Sequence, residues 1–284
     1  MRDAAVQSLA VGFFDGVHLG HRAILRSADA ALTFRNHPLT VLAPERAPRL
    51  IMTPEERVAA IKACGVGEVT VLDFTRELAE MPAEDFVNFL VKRKGFRFFT
   101  VRCGANWRFG KGGAGDAEFL RRLGVVVEVP KSVEFKGGMI SSSRIRECLE
   151  NGEIEDANAM LGRRFQVSGL RFQGKGLGGR IGYPTLNLRL ETLNLRLPLG
   201  VYEVDVGGVK GVANYGLAPT LGDKAWTRPV MEIHLLGQGD EDVRRKTLDW
   251  ISVTLVRYIR PERKFETIED LQRQIAADCA TIKL

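Results

Sequence analysis

Cysteine is sparse in this 284-residue chain, and the distribution of its cysteines argues against two kinds of site. The four residues, Cys64, Cys103, Cys148 and Cys279, lie far apart and show no paired spacing. Disulfide-rich scaffolds and cysteine-based zinc clusters both need cysteines at recurring intervals. We therefore expect reduced thiols, in the core or on the surface, and neither a disulfide framework nor a zinc cluster.

Long apolar runs are lacking as well, and this bears on the membrane. No run approaches the roughly 20 apolar residues that a membrane-spanning helix needs. The short apolar stretch near the N-terminus leads straight into a motif of glycine and histidine, which cleavage of a signal peptide would destroy. The sequence therefore predicts a cytoplasmic protein without a membrane segment.

Charge of one sign is nowhere gathered into a block. The formal net charge of +6 is spread along the chain, which fits anionic small molecules at least as well as nucleic acid. With 45% hydrophobic and 27% charged residues, the composition is that of an ordinary globular protein. The chain is long enough for two domains with separate cores.

Two patterns of secondary structure divide the chain. In residues 1–145, β-rich runs alternate with helical patterns such as Pro54–Cys64 and Pro82–Lys94, which predicts a parallel sheet with helices on both faces. The runs are Leu9–Phe13, Ala31–Phe34, Val69–Phe74, Phe98–Arg102 and Val125–Val129. Residues 146–164 are predicted to form two short linker helices, split by a turn at Asn151-Gly152.

The second half, residues 165–284, has many short β-rich runs and frequent glycines, which predicts an antiparallel β-barrel. The runs are Gln166–Phe172, Gly200–Val206, Val212–Tyr215, Val230–Leu236 and Ile251–Ile259. A closing helix is predicted over Ile268–Ile282, with Leu271, Ile275 and Ile282 on one face.

The most informative motif is LAVGFFDGVHLGHRAIL at Leu9–Leu25, an apolar run followed by a glycine-rich turn and two histidines. The glycines permit a tight turn and the close approach of a flat ligand, and His18 and His21 can donate to phosphate oxygens. These features suit nucleotidyl transfer, in which the protein positions the α-phosphate and stabilises charge on the leaving pyrophosphate. A helix start with incidental histidines and a zinc-binding HxxH pair are the alternatives.

A second motif, ISSSRIR at residues 140–146, places hydroxyl groups at a predicted helix N-cap and two arginines in the first turn. Hydroxyls, exposed backbone N–H groups and guanidinium groups together make an anion clamp. The alternative is an ordinary serine-rich cap with surface arginines.

In the second half, GYPTLN at residues 182–187 sets a rigid proline before Thr185 and Asn187. On a strand, alternation points both side chains to one face, where their oxygen atoms can hold Mg²⁺ and phosphate. The alternative is an edge strand whose polar side chains point outward. Upstream lies a flexible basic loop suited to a nucleotide phosphate, with Gly174, Lys175 and Gly178.

With several further segments, these motifs resemble the bacterial bifunctional riboflavin kinase/FAD synthetase family over nearly the whole chain. In the first half the matching pieces are GFFDGVHLGH (Gly12–His21), TFRNHP (Thr33–Pro38), GANWRFG (Gly104–Gly110) with Gly115-Asp116, and ISSSRIR. In the second half they are GYPTLN, MEIH (Met231–His234) and RPERKF (Arg260–Phe265). The resemblance implies an α/β Rossmann-like nucleotidyltransferase domain, followed by an antiparallel β-barrel riboflavin kinase domain with a C-terminal helix.

For the first half, the resemblance implies a site for adenylyl transfer from ATP to FMN. His18, His21 and Arg144 would be catalytic, and Asn106 would help hold the nucleotide or the flavin. The nucleotide-binding set in this half would be Gly12, Phe14, Asp15, Gly16, His18, Gly20, His21, Asn106, Ser142, Ser143 and Arg144. An alternative for Asn106 is an ordinary turn residue between two glycines.

For the second half, the resemblance implies phosphorylation of riboflavin by ATP. Glu232 would be the catalytic general base that takes the proton of the ribityl hydroxyl, and Thr185 and Asn187 would hold the metal. The nucleotide would also contact Gly174, Lys175 and Gly178, and the flavin would contact Asn106, Asn214 and Arg260. The segment from Arg260 onward and the helix after it are otherwise expected to be architectural.

The chain departs from the family pattern in three places. Only eleven residues separate His21 from Thr33, which predicts a short or differently connected first helix. A Gly-Arg pair of the family appears as Gly178-Gly179, with Arg180 displaced by one position. The acidic-aromatic run that follows the family's catalytic glutamate is replaced by GQGDEDVRRKTLDW.

The leading hypothesis is a two-activity enzyme that makes FMN from riboflavin and ATP, and FAD from FMN and ATP, with Mg²⁺ as the metal. The expected partners are these small molecules, not nucleic acid or membrane, and a weak homo-oligomer is compatible with the sequence. The alternatives are a chain with one active domain, a non-catalytic flavin or nucleic-acid binding protein, and a nucleotidyltransferase acting on another phosphate acceptor.

Overall fold

A computed structural model describes residues 8–94, 100–174, 176–193, 195–217, 229–237 and 249–283. The chain divides into two compact units, Met1–Ser142 and Ser143–Leu284. Within the described residues, no helix combines the length and the apolar character needed to cross a bilayer. All four cysteines are free thiols, and burial raises the pKa of Cys103 and Cys148 to about 11.

The first unit is built on a five-stranded parallel sheet with the order β3-β2-β1-β4-β5. Its strands are β1 (Ser8–Val11), β2 (Ala30–Phe34), β3 (Glu68–Leu72), β4 (Thr100–Arg102) and β5 (Val126–Glu128). The chain moves outward from β1 to β3 and then returns to the other side of β1 with β4. Open α/β sheets bind their ligands beyond the carboxyl ends of the strands at such a reversal, which here falls between β1 and β4.

The helices of the first unit lie between these strands in chain order. They are α1 (Leu19–Leu25), α2 (Leu39–Leu42), α3 (Pro54–Lys62), α4 (Arg76–Glu80), α5 (Ala83–Lys94) and α6 (Ala117–Arg122), and β6 (Glu134–Phe135) and β7 (Gly138–Met139) form a small hairpin. Phe86 and Leu90 of α5 pack on Leu9, Val11 and Val101 of the sheet. The α5 pair lies four residues apart on one helix face, so a single stripe covers the sheet.

The second unit is a closed barrel with the strand order β10-β11-β12-β9-β8-β13. Its strands are β8 (Phe165–Phe172), β9 (Leu186–Leu190), β10 (Gly200–Val206), β11 (Val209–Gly216), β12 (Val230–Leu235) and β13 (Trp250–Pro261). Helix α7 (Ser142–Glu150) begins at the last residue of the first unit, and α8 (Ile154–Leu161), α9 (Leu177–Arg180) and α10 (Ile268–Ala280) belong to the second. Every neighbouring pair is antiparallel.

Helix α8 is bonded to the barrel through a half-buried side chain. Asn158 donates from Nδ2 to the carbonyl of Leu255 in β13 at 3.0 Å. Its Oδ1 accepts from the backbone N–H of Phe165, where β8 begins, at 2.6 Å. These two bonds satisfy backbone groups of two neighbouring strands, so the helix is fixed where β8 and β13 pair.

The expected fold class is confirmed in both halves. Most strands lie where the sequence predicts them, but β1 ends at Val11 and not at Phe13, because the chain turns sharply after it. The short first helix is also observed, since α1 has seven residues. The hairpin β6–β7 was not predicted, because strands of two residues carry no periodicity.

Candidate active sites

A strained elbow follows β1 and forms the first candidate site. Two residues with side chains, Phe14 and Val17, have positive φ angles of 58° and 40°, and Gly16 between them has 82°. Such a backbone costs on the order of 1–3 kcal/mol per residue with a side chain, so surrounding contacts must hold it. Gly12 is needed for a different reason, because a Cβ there would meet the ring of Phe14 at 2.9 Å.

Asp15 anchors the elbow. Its buried carboxylate accepts the backbone N–H of Ile51 at 3.1 Å and that of Met52 at 3.2 Å. Its carbonyl accepts the hydroxyl of Ser142 at 2.8 Å. The structure therefore joins the Ser142 end of the ISSSRIR motif to the histidine motif, across 127 residues of sequence.

The two histidines lie against each other at the start of α1. His18 is the N-cap, and its Nδ1 accepts the backbone N–H of His21 at 3.2 Å. The imidazole rings stack at 3.6 Å, and a Cβ on Gly20 would stand 3.1 Å from the ring of His18. Because Nδ1 of His18 accepts, the neutral ring carries its proton on Nε2, which is then a donor for a ligand oxygen.

Asn106 lies in the exposed turn after β4, which closes with a 3.0 Å bond from the N–H of Trp107 to the carbonyl of Gly104. Strands β1 and β4 are parallel neighbours, with Ala10 opposite Arg102. Their carboxyl ends therefore meet at one edge of the sheet, and the elbow and the Asn106 turn leave from that edge.

Ser143 and Arg144 follow Ser142 in the first turn of α7. The hydroxyl of Ser143 is exposed and lies 3.5 Å from Nη1 of Arg146, which donates to it. The helix therefore supplies hydroxyl and guanidinium groups in sequence, as the motif predicts.

The second candidate site is a row of polar side chains across three strands of the barrel. Asn187 in β9 is directly opposite Glu232 in β12, and Glu232 is directly opposite Asn214 in β11. Residues directly opposite in an antiparallel pair share a face, with Cβ atoms about 4.5–5.5 Å apart. The row lies on the face opposite the buried Met231 and Ile233.

Glu232 is the acidic group at the centre of this row. Part of the side chain is exposed, yet the surrounding protein dehydrates its carboxyl group and raises its pKa. The negative charge of Glu262 raises that pKa further. Glu262 lies beside β11, where its Oε1 accepts from Nδ2 of Asn214 at 3.3 Å.

The loop before β9 is packed closely on this row. A Cβ on Gly174 would stand 2.5 Å from Nδ2 of Asn187, and one on Gly178 would stand 2.3 Å from the carbonyl of Tyr183. Only glycine permits these approaches. Lys175, which the sequence assigns to the same loop, lies outside the described residues.

Comparison with known proteins supports both halves. The FAD synthetase family matches residues 2–144, and the riboflavin kinase family matches residues 161–284. The Bifunctional riboflavin kinase/FMN adenylyltransferase of Escherichia coli (strain K12) is 33% identical over 295 residues, which cover 97% of this chain and 91% of that protein. The protein of the same description from Bacillus subtilis (strain 168) is 30% identical over 303 residues, with coverages of 97% and 91%.

The chain belongs to the bifunctional riboflavin kinase/FMN adenylyltransferase family. Its first unit is an FAD synthetase domain and its second a riboflavin kinase domain. A solved structure titled Macrolide-efflux Protein from Streptococcus pneumoniae also matches, with a TM-score of 0.85 and 26% identity over 99% of this chain and 95% of that chain. The resemblance stated from the motifs is thus confirmed.

In the riboflavin kinase domain, Arg260 lies at the end of the row, but its side chain is bonded to α10. Val201 of β10 is opposite both Asn214 and Arg260, which continues the row to β13. The guanidinium of Arg260 makes a bidentate pair with the buried Asp278 of α10, with Nη2 and Oδ2 2.6 Å apart. This pair fixes α10 to the barrel, as the architectural interpretation of this segment expects.

Three residues without a predicted role lie at these sites. Arg57 is fully buried, donates to the carbonyls of Phe34 and Arg35, and stacks over the ring of Phe13 at 4.1 Å. The other two, His234 and Glu262, lie in the kinase domain. The one sequence signal for Arg57 is its position. It lies four residues before Ile61, on the buried face of a predicted helix, where a charged residue is unusual.

In the described part of the chain, no group of three or more His, Cys, Asp and Glu side chains comes together as a metal site. The resemblance assigns the metal instead to the hydroxyl of Thr185 and the amide of Asn187, which lie two residues apart at the start of β9. Both are hard oxygen donors, and Asn187 is 9% exposed, beside the carboxylate of Glu232. This donor set suits a divalent cation that accompanies ATP.

Proposed function

We propose that this chain makes FMN from riboflavin and ATP in its barrel, and FAD from FMN and ATP in its parallel-sheet domain, with release of pyrophosphate. The observation that carries the proposal is the register of the barrel. It sets Glu232 between Asn187 and Asn214 in a domain of the riboflavin kinase family. In this row Glu232 would be the proton acceptor, Asn187 a ligand of the cation and Asn214 a contact of the flavin.

In the kinase step, Glu232 accepts the proton of the ribityl hydroxyl as that oxygen attacks the γ-phosphorus of ATP. The bond from the γ-phosphorus to the bridging oxygen breaks, and ADP leaves. A raised pKa brings Glu232 nearer to the value that favours proton transfer at neutral pH. We assign Mg²⁺ to Thr185 and Asn187, where it would neutralise charge on the phosphates of ATP.

In the adenylyl-transfer step, a phosphate oxygen of FMN attacks the α-phosphorus of ATP and pyrophosphate leaves. No covalent enzyme intermediate is needed, so positioning and charge stabilisation account for catalysis. His18 would donate from Nε2 to a phosphate oxygen, beside the backbone that Gly20 exposes. Ser143 and Arg144 would hold the remaining phosphates, and Asn106 the nucleotide or the flavin. Ser142, whose hydroxyl donates to the carbonyl of Asp15, would hold the elbow in place beside them.

The partners we propose are riboflavin, FMN and ATP, and the compartment we propose is the cytoplasm. The two matched enzyme families support these small molecules as substrates, and the spread of the +6 charge along the chain is compatible with anionic ligands of this size.

The test supplies the purified chain with riboflavin, ATP and Mg²⁺, and separately with FMN, ATP and Mg²⁺, and follows the flavins by chromatography. We expect FMN and then FAD from riboflavin, and FAD from FMN. The variant Glu232→Gln is expected to lose FMN formation while FAD formation from FMN continues.

Three other outcomes would contradict the proposal. FAD from FMN without FMN from riboflavin would mean that only the FAD synthetase domain is active. FMN without FAD would mean the reverse. No turnover with either flavin, but binding of FMN or ATP, would favour a non-catalytic flavin-binding protein.

A further inference from the structure

His234 is a polar side chain of the kinase domain that the proposed mechanism does not use. It lies on β12 two residues after Glu232, so both side chains point to the same face of the strand. Its Nδ1 lies 3.0 Å from the carbonyl oxygen of Pro184. The ring also meets the ring of Tyr183 edge-on, with centroids 5.2 Å apart.

The hydrogen bond to Pro184 fixes the protonation of this imidazole. A carbonyl oxygen can only accept, so Nδ1 of His234 must carry a proton and donate it. This is the opposite of His18 and His37, whose Nδ1 atoms accept backbone N–H groups at 3.2 Å. The neutral form of His234 is therefore the Nδ1–H tautomer.

The bond lies where the ladder between β12 and β9 ends. Glu232 pairs with Asn187 and Ile233 pairs with Leu186, so the next position along the register sets His234 beside Thr185. Thr185 precedes the first residue of β9, and the proline before it has no N–H to donate. The imidazole of His234 therefore adds a side-chain hydrogen bond between β12 and the segment before β9, at the point where their backbone pairing ends.

We propose that His234 is a positioning residue of the riboflavin kinase reaction. By holding the carbonyl of Pro184, it fixes Thr185 relative to Glu232 and so aligns the cation and the ATP phosphates with the general base. The inference rests on the proposed function and adds a residue to it. Supporting groups of this kind are typically worth 10–100-fold in metal affinity or activity.

Two variants test whether the hydrogen bond donated to the carbonyl of Pro184, and not the size of the side chain, accounts for the effect. In His234→Asn the amide nitrogen can occupy the place of Nδ1 and donate to the same carbonyl. In His234→Gln the longer side chain carries its amide nitrogen to the place of Nε2. Both replace a ring by an uncharged amide, so they are matched controls for each other.

The assay measures initial formation of FMN plus FAD from riboflavin, with the concentrations of ATP, riboflavin and Mg²⁺ varied separately. We expect the Gln variant to lose about 10–100-fold in kcat/KM for ATP, with an unchanged KM for riboflavin. The Asn variant should stay within about threefold of the wild type. FAD formation from FMN, which uses the other domain of the same molecule, should be unchanged in both.

The inference is overturned if both variants retain wild-type kinetics, if both lose activity equally, or if only the Asn variant loses it. Absence of FMN formation by the wild-type chain would overturn the proposed function and this inference with it. Turnover by the wild type with no difference between the variants would overturn the inference alone.

If His234→Gln does not fold, a measurement on the wild-type protein still tests the proposal. Nitrogen-15 chemical shifts of the four histidines, taken well above the usual imidazole pKa of about 6.5, distinguish the two neutral tautomers. We expect a protonated Nδ1 for His234 and a protonated Nε2 for His18. A protonated Nε2 and a bare Nδ1 in His234 would overturn the proposal without any kinetics.

Discussion

The two candidate active sites use the backbone in different ways. In the FAD synthetase domain the functional groups leave the sheet on an elbow with three positive φ angles, held by the carboxylate of Asp15. In the riboflavin kinase domain the corresponding groups stand on regular strands, where the register alone sets Asn187, Glu232 and Asn214 side by side. The first site depends on a few anchors of a strained loop, and the second depends on pairing distributed over a closed barrel.

This difference predicts that single substitutions at the elbow act through one donor or one anchor. The largest effect is expected for His18→Asn. Asparagine is a good N-cap, so α1 keeps its cap, but the donor at Nε2 is lost. Loss of one preorganised donor typically costs about 10²–10³-fold in rate, so FAD formation from FMN should fall by that factor.

The kinase activity of the same variant is the control. Formation of FMN from riboflavin should be unchanged in His18→Asn, because the barrel has its own site. Equal loss of both activities would show that the imidazole supports folding and not adenylyl transfer.

The kinase site should instead be sensitive to substitution of a glycine whose backbone packs closely on the row. In Gly174→Ala the new methyl would lie 2.5 Å from Nδ2 of Asn187, so the amide or the loop must shift. A misplacement of about 1 Å can cost about a hundredfold, and FMN formation should fall by up to that factor. The matched control is Gly179→Ala in α9, where a Cβ meets nothing within 4 Å and alanine suits the helix.

Steady-state kinetics with riboflavin check this pair. Gly174→Ala should raise the KM for ATP or lower kcat while FAD formation from FMN stays unchanged. Comparable losses in the two alanine variants would argue against contact between Gly174 and Asn187 as the cause.

The same contrast explains how much the sequence could predict. Periodicity located the strands and both fold classes, because apolar alternation and spacing are local properties. The motifs and the resemblance singled out His18, His21 and Glu232 as candidates, and their roles stay predictions. The anchor of the elbow was not predictable, since Asp15 bonds to Ile51 and Met52, more than 30 residues away, through backbone groups that no residue type signals.

In the barrel, the unpredicted contacts depend on register. Glu262 reaches Asn214 only because β13 and β11 both flank β10, and Arg260 meets Asp278 only because α10 packs on that face. A sequence pattern gives the face of a strand but not its neighbour. The partner of Arg260, and hence its architectural role beside the predicted flavin contact, needed the structure.

The third prediction concerns the pH dependence of the kinase. Glu232 must be ionised to accept a proton, and its pKa is raised by dehydration and by Glu262. FMN formation should therefore fall as the pH drops through this raised pKa. Glu262→Gln removes the like charge while an amide oxygen can still accept from Asn214, so the pKa of Glu232 falls.

The acid limb of kcat/KM for riboflavin should then move to lower pH in Glu262→Gln, with little change on the plateau. The pH profile of FAD formation from FMN serves as the reference and should not move. A limb that stays in place, or moves to higher pH, would contradict the assignment of Glu232 as the base.

The smallest effect is expected for the removal of one serine hydrogen bond in each domain. Ser142 donates to the carbonyl of Asp15 at 2.8 Å, and in the barrel the hydroxyls of Ser168 and Ser252 are also 2.8 Å apart, on paired positions of β8 and β13. Replacing either Ser142 or Ser168 by alanine should cost about 1 kcal/mol in the free energy of unfolding, measured by denaturant titration.

The two variants should differ in activity. In Ser142→Ala the elbow loses an anchor, and a loss of about 1 kcal/mol felt in the transition state would lower FAD formation about fivefold. In Ser168→Ala the barrel keeps its register through the backbone ladder, so neither activity should change. If Ser168→Ala lowered FMN formation as much as Ser142→Ala lowers FAD formation, the barrel site would depend on single side-chain anchors, just as the elbow does.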